Sequence, residues 1–509
     1  MTPAEADSVA RVIRRRPPRR ARRLAGLPIV ALLAVGVVAC AQEADGADEG
    51  DTTTPVDDGD TGSSDPSSAS DSIAWEDCGS AECGTLDVPV DYDAPDGDTL
   101  TLSISRVPAG DDDARIGPLF VNPGGPGGTA ADFAISMAAV LPDEITDRFD
   151  IVGVDHRGLG ASEISCDGDM QELYGVDYSI DSPDDTTALL DVSQTYVDGC
   201  EQNAGDLLPF LGTENVARDI DAVRAAMGDE QLNYLGFSYG TAIGQQLADL
   251  FPEQVRAMII DGIVDLGPTG IETAVDQAAG FETALQSYAD DCNADESCPL
   301  FPDAVGAIEE LQDLVEQAPI PASPRDLGPG ELSTGLALPL YSETLWPDLS
   351  QSVADALDGD GSGMVALADD YIGVADFDVY FAVNCLDWEW PEDPQELLDA
   401  GAAATAESPH FAEPIVNDYV RCAMWPVEEE PMPAVTAPDA PPILVVSTTN
   451  DPATPYEAGV RTAERLASGV LLTYEGDGHT VVGNGVGCVD DIAAAYLVDL
   501  EVPDDGTTC

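Results

Sequence analysis

"LNYLGFSYGTAIG", residues 232–244, decides how the chain is read. The apolar run from Leu232 to Phe237 has the length and character of a buried strand, and a helix is expected to follow it. Between them lies Gly236-Phe237-Ser238-Tyr239-Gly240, a Gly-x-Ser-x-Gly turn. In that setting a serine is either a nucleophile held out at the end of a strand or a small residue in a tight turn. In a chain with 48 glycines among 509 residues the pattern alone is weak evidence. The remaining sequence has to supply the partners a nucleophile needs.

The strand-to-helix rhythm extends in both directions. Residues 85–109, "TLDVPVDYDAPDGDTLTLSISRVPA", alternate polar and apolar around Pro95-Asp96-Gly97 and predict a β-hairpin. "GPLFVNPGGPGG" (117–128) and "FDIVGVDHRGLGAS" (149–162) are apolar strands that end in polar or glycine-rich loops. Residues 213–228 have helical periodicity, with Thr213 expected to cap the start and Gly228 to stop the helix. After the quoted stretch come a helix to Leu250 and the strand "VRAMIIDGIVD" (255–265). Strands alternating with helices predict an α/β fold, a mostly parallel sheet with helices on both faces. The rhythm breaks at Pro268 and resumes at "PPILVVSTTNDPATP" (441–455), "GVLLTYEGDGHTVVG" (469–483) and a last helix in "CVDDIAAAYLVDL" (488–500). One α/β domain, residues 73–267 and 439–509, is therefore expected to carry a mainly helical insertion, residues 268–438. Neither a P-loop nor a dinucleotide fingerprint is present.

Charge narrows the function further. The chain has 97 acidic residues against 19 basic ones, a formal net charge of −78, and every basic residue is arginine. Such a surface repels phosphate backbones and excludes nucleic acid as a partner. It points to adaptation to high salt, where counterions screen the self-repulsion. A melting temperature that rises from low to molar salt is the expected result.

Eight arginines precede Leu24, and a thirteen-residue apolar run, 27–39, follows. The run is short for a bilayer span and suits a secretory signal, residues 1–39. Val37-Val38-Ala39-Cys40 resembles a bacterial lipobox, which would make Cys40 the lipidated first residue of the exported protein. A plain signal peptide or a short anchor helix is the alternative. Residues 40–72 are an acidic spacer without an aromatic residue, too polar to bury a core. The expected location is the outer face of the cytoplasmic membrane, held by a lipid, or the medium. Ten cysteines remain after Cys40, an even number for an exported protein. Pairing of neighbours is expected: Cys78–Cys83, Cys166–Cys200, Cys292–Cys298, Cys385–Cys422 and Cys488–Cys509. None of these couples has zinc-site spacing, and no metal is expected.

A serine attacks a carbonyl only with a base in reach, an acid that orients the base, and donors for the oxyanion. The chain has three histidines. His156 precedes the serine, His410 lies in the insertion, and His479 lies in the loop after the last strand. The order Ser, Asp or Glu, His and the position at a strand's end select His479. Asp451, at the end of the preceding strand, is the preferred acid. Asp477 is the rival, two residues from His479 and poorly placed to brace its ring. One oxyanion donor should be the amide of Tyr239. The other should come from "NPGGPGG" (122–128), through Gly125, with Gly124 as the alternative.

"NPGGPGG", "VDHRGLGAS", "GFSYGT", "NDPATP" and "GHT", in this order, resemble the exported bacterial tripeptidyl aminopeptidases, α/β-hydrolases related to proline iminopeptidase. "DHRG" departs mildly from the more usual "DQRG". The resemblance covers residues 75–509. It implies an α/β-hydrolase fold whose insertion caps the active site, no cofactor, and release of N-terminal tripeptides. Related lipoproteins are carboxylesterases, so an esterase or lipase with the same residues is a second expectation. A non-catalytic binding lipoprotein is a third, disfavoured by the intact Ser-Asp-His order. An aminopeptidase must hold the free α-ammonium group of its substrate. Asp387 and Glu389, in "NCLDWEWPEDP", are candidates for that contact. A monomer is expected.

Overall fold

The computed structural model describes residues 73–180 and 182–509. The expected signal segment, Cys40 and the acidic spacer lie outside them. Four strands, β4 (Gly117–Asn122), β5 (Phe149–Val154), β6 (Leu232–Phe237) and β7 (Val255–Asp261), are buried over nearly their whole length. That is the mark of central strands covered on both faces. With β1 (Glu76–Asp77), β2 (Glu82–Pro89), β3 (Thr99–Val107), β8 (Ile443–Asn450), β9 (Gly469–Asp477) and β10 (Thr507–Thr508) they form one sheet. Its order is β1-β2-β3-β5-β4-β6-β7-β8-β9-β10. The β2–β3 hairpin is antiparallel, and every pair from β5 to β10 is parallel.

Alternate residues of the central strands feed two cores, as a period of two requires. Leu119, Ile151, Leu235, Ile259 and Leu444 face the helices α1 (Ala130–Val140) and, at the chain's end, Gly487–Asp499. Phe120, Val152, Tyr234, Ile260 and Val445 face α2 (Thr213–Met227) and α3 (Gly240–Leu250). Helix α2 ends as expected, with Gly228 at φ 83° in the left-handed region. Its start corrects the expectation for Thr213. Gly212 is the cap, and Thr213 is the first helical residue. The hydroxyl that would have capped the helix is turned to Asp387 and the Tyr239 phenol instead.

Between β7 and β8 lies the helical region. Helices α4 (Gly270–Ala294), α5 (Ala304–Gln317), α6 (Pro329–Ala337), α7 (Trp346–Leu357) and α8 (Ser362–Ile372) share a core of their own, including Phe281, Leu285, Leu311, Leu336, Leu349 and Met364. The next helix, α9 (Phe377–Asp387), packs instead into the sheet-side core. It meets the excursion between β5 and α2. The Cys166 amide donates to Asp378 at 2.8 Å, and the Tyr196 and Phe381 rings meet edge to face. The roof over the sheet is thus made of two chain segments, the helical region and the β5–α2 excursion, whose long helix Pro183–Ala204 buries Leu189, Tyr196, Val197 and Cys200 at helical spacing. The five disulfides join the neighbouring cysteines.

Candidate active site

Ser238 sits between β6 and α3 at φ 54°, a left-handed conformation rare for a residue with a side chain. Tight packing holds it there. A Cβ on Gly236 would come within 2.4 Å of the Gly240 carbonyl oxygen, so only glycine lets β6 turn so sharply into α3. The Ser238 amide donates to the Asp261 carbonyl at 2.9 Å.

His479 follows β9, and its backbone amide donates to the Tyr341 carbonyl at 3.0 Å. Nδ1 lies 2.9 Å from both carboxylate oxygens of Asp451. A carboxylate can only accept here, so Nδ1 carries the proton and Nε2 is the basic nitrogen. Nε2 has no hydrogen-bond partner among the described residues, and His479 and Ser238 line the same cavity. Asp451 is itself held. Its Oδ1 accepts from the amides of Ala453 and Thr454 at 2.9 Å, and its Oδ2 from the Thr454 hydroxyl at 3.0 Å. Asp477 does not touch the ring; it accepts from Ser287 and from Asn450 Nδ2, tying β9 to β8 and to α4.

Burial opposes a charge on His479, but the field and hydrogen bonds of Asp451 outweigh it and raise its pKa above the ordinary 6.5. A base must be neutral to accept a proton. Activity should therefore fall as pH drops through a value above 6.5, and a kcat/KM profile whose acid limb lies below 6.5 would contradict this.

The loop after β4 separates the two oxyanion candidates. The Gly124 amide already donates to Asn122 Oδ1 at 2.9 Å. Gly124 is pressed on the turn, where a Cβ would stand 2.7 Å from that of Ser238. Gly125 and Tyr239 have no acceptor for their amides among the described residues, and both border the cavity with Ser238. The pair that can converge on an oxyanion is thus Gly125 and Tyr239.

The other histidines are committed elsewhere. His156 is fully buried. Its Nε2 accepts from the Gly127 amide at 3.2 Å and its Nδ1 faces the Arg157 carbonyl at 3.1 Å. Burial pushes its pKa down to about 4, so it braces the glycine loop as a neutral ring. His410 pairs with Glu282 at 3.0 Å between α4 and the segment after Ala404. Asp261 was not singled out from the sequence. It is fully buried at the end of β7, and its Oδ2 accepts from the amides of Val481 and Val482 at 2.7 and 2.8 Å. It thereby holds the loop that carries His479. An acid closing the apolar run Ala257–Ile260 is the signal that could have found it.

Two lobes meet at Ser238. One is mainly apolar and includes His479, Phe133, Phe237 and Phe377. The other has Tyr239 and, like the first, Gly125, but not His479, and reaches Asp265, Asp276, Asn384 and Asp387. Asp265 is neutralised by Arg461 and Arg465, and Asp276 by Arg461. Among the described residues Asp387 has no cation partner. Its Oδ2 accepts from the Thr213 amide at 3.0 Å and from the Thr213 hydroxyl. Burial pushes its pKa up to about 7, against the pull of those bonds. Glu389 corrects its expectation: it is exposed and borders neither lobe.

The sheet order, the serine turn and the Asp–His pair define a serine hydrolase on an α/β-hydrolase fold. Comparison with known proteins narrows the class. The family model described as "TAP-like protein" matches residues 408–509. The chain is 39% identical to Serine protease Hip1 of Mycobacterium tuberculosis, over 85% of this chain and 88% of that one. It is 36% identical to Carboxylesterase B of the same species, over 84% and 86%. It is 31% identical to the tripeptidyl aminopeptidase of Streptomyces lividans, over 86% of each. The chain belongs to the tripeptidyl-aminopeptidase-like family, and it is a serine peptidase of the α/β-hydrolase type. Among the described residues no helix is long and apolar enough to cross a membrane.

Proposed function

We propose that the protein is an exported aminopeptidase that releases short N-terminal peptides, tripeptides above all, through an acyl-enzyme on Ser238. The Ser238 hydroxyl attacks the scissile carbonyl while His479 Nε2 takes its proton. The oxyanion receives the amides of Gly125 and Tyr239. The C–N bond then breaks, and His479 returns the proton to the leaving amine. Water, deprotonated by the same nitrogen, releases the peptide acid. Asp451 keeps the ring in the Nδ1–H form throughout.

The carrying observation is the position of His479 in only one lobe. The leaving group must sit where the imidazolium can protonate it, so the apolar lobe receives it. The acyl portion then occupies the other lobe, whose far side offers Asp387. That carboxylate is linked to the nucleophile turn by the length of the Tyr239 side chain and two hydrogen bonds of the Thr213 hydroxyl, the one with the phenol being 2.7 Å and the other donated to Asp387 Oδ2. The path is on the order of 10 Å long and so bounds the separation at about the span of three extended residues. An α-ammonium group beside a carboxylate of raised pKa would draw it into the ionised form and pair with it.

Three substrates test the reading: a tripeptide aminocoumarin amide, its N-acetylated form, and a short-chain nitrophenyl ester. Turnover of the unblocked amide alone is expected. Ester turnover without amide turnover would make the protein a carboxylesterase instead. Export by the 1–39 segment and a lipid on Cys40 complete the proposal. Loss of membrane association in Cys40→Ala is the expected result, and unchanged association would remove the tether.

A further inference from the structure

On its far side the acyl lobe meets a second cleft that plays no part in the chemistry above. This outer cleft is bordered by residues 91–93 and 209–218, by Gln246 and by the strap 430–433. The two cavities share two residues, Asp387 and Met432. The partition between them therefore includes one buried carboxylate, held by Thr213, and one half-buried thioether side chain.

The strap holds Met432 in place. The Glu430 amide donates to the Leu386 carbonyl at 2.7 Å, and the Met432 amide to the Asp387 carbonyl at 2.9 Å. One residue before Glu430, Glu429 accepts from the Trp390 amide at 2.7 Å. Pro431 and Pro433 flank the methionine and stiffen its backbone. Beyond the partition, the outer cleft carries Asp91, Asp93, Glu214 and Glu430, with Arg218 the one cation among the described residues that line it. It also holds Gln246, which is 2% exposed and whose Nε2 has no partner among the described residues. A chain passing the partition would thus meet a carboxylate-rich surface suited to its ammonium end and an amide donor suited to a carbonyl.

We propose that Met432 is the ruler of this enzyme: its side chain, braced against Asp387, closes the acyl lobe and limits the length of the released peptide. The inference rests on the aminopeptidase reading and deepens it. Asp387 supplies charge recognition of the substrate's first residue, and Met432 supplies the stop. Shortening the side chain joins the lobe to the outer cleft, so longer N-terminal segments fit and a free ammonium group at Asp387 ceases to be required. Enlarging it shortens the lobe.

The test uses the full-length protein with unblocked oligo-alanyl aminocoumarin amides of two to six residues, the N-acetylated three-residue amide, and nitrophenyl esters of straight-chain acids of rising length. For the wild type kcat/KM should drop about tenfold or more from three residues to four, the size of effect that one misfitted pocket group produces. Met432→Ala should erase that drop and admit the acetylated substrate. Met432→Trp should lower turnover of the three-residue amide by about tenfold while sparing the two-residue amide. Met432→Leu, close in volume, should keep the wild-type step. A step at the same length in Met432→Ala, Met432→Trp and wild type, all with unchanged melting temperatures, overturns the ruler while leaving the aminopeptidase reading intact. If the wild type cleaves no amide, that reading fails, and the ester series still measures the partition. A chain-length cutoff that stays put in Met432→Ala then overturns the ruler as well.

Discussion

Ser238→Ala is expected to reduce kcat on an unblocked tripeptide amide by about 10⁶-fold, the loss found when a nucleophile that works as a unit with its base is removed. The fold should not change. Among the described residues the Ser238 hydroxyl makes no hydrogen bond, and the turn is held by its backbone bond to Asp261 and by the glycines on either side. The variant should therefore keep its melting temperature, lose all labelling by a fluorophosphonate, and still bind the substrate. Retained labelling in Ser238→Ala would mean that another nucleophile carries the reaction.

Asp451→Asn has the second largest expected effect, about 10⁴-fold in kcat. The reason is tautomeric. Asp451 Oδ1 faces two amide donors, from Ala453 and Thr454, so an asparagine there would keep its oxygen toward them. Its NH₂ would then point at His479 Nδ1 and force the proton onto Nε2. An Nε2–H ring cannot accept the serine proton. The same variant removes the charge that raises the His479 pKa, so its residual activity should also lose the acid limb above pH 6.5. Binding of the unblocked substrate should be little affected, since Asp451 lies outside the path to Asp387. A kcat within tenfold of wild type would show that Asp451 does not orient the base.

These outcomes turn on residues that the sequence already marked, and the reason is that their signals are local. Ser238 stands between two glycines at a strand-to-helix junction. Asp451 and His479 each close an apolar strand, one β-unit apart. Buried strands, turns and helix stops are encoded within a few residues, so the α/β rhythm, the interrupted sheet and the order of the three groups are legible along the chain. The neighbouring cysteine couples are of the same kind, because each pair lies no more than 37 residues apart.

Other distinctions depend on contacts between distant segments, and sequence reasoning left them open or reversed. Gly124 and Gly125 are adjacent and chemically identical, yet only Gly125 keeps a free amide, because the Asn122 side chain folds back onto Gly124. Asp387 and Glu389 looked equivalent as ammonium ligands. The end of α9 buries the first beneath Thr213, 174 residues away, and leaves the second in solvent. Thr213 looked like a helix cap for local reasons, and tertiary structure gave its hydroxyl another partner. His156, in so suggestive a motif, proved to be a buried strut once both ring nitrogens found backbone partners. The sequence by itself determined the fold class and the order of the serine, aspartate and histidine proposed to react, since periodicity and turn chemistry act over a few residues. Only the tertiary structure decided which donors stay free and which carboxylate faces the cleft. Whether a polar group is available depends on every segment packed around it, and those segments are remote in the chain.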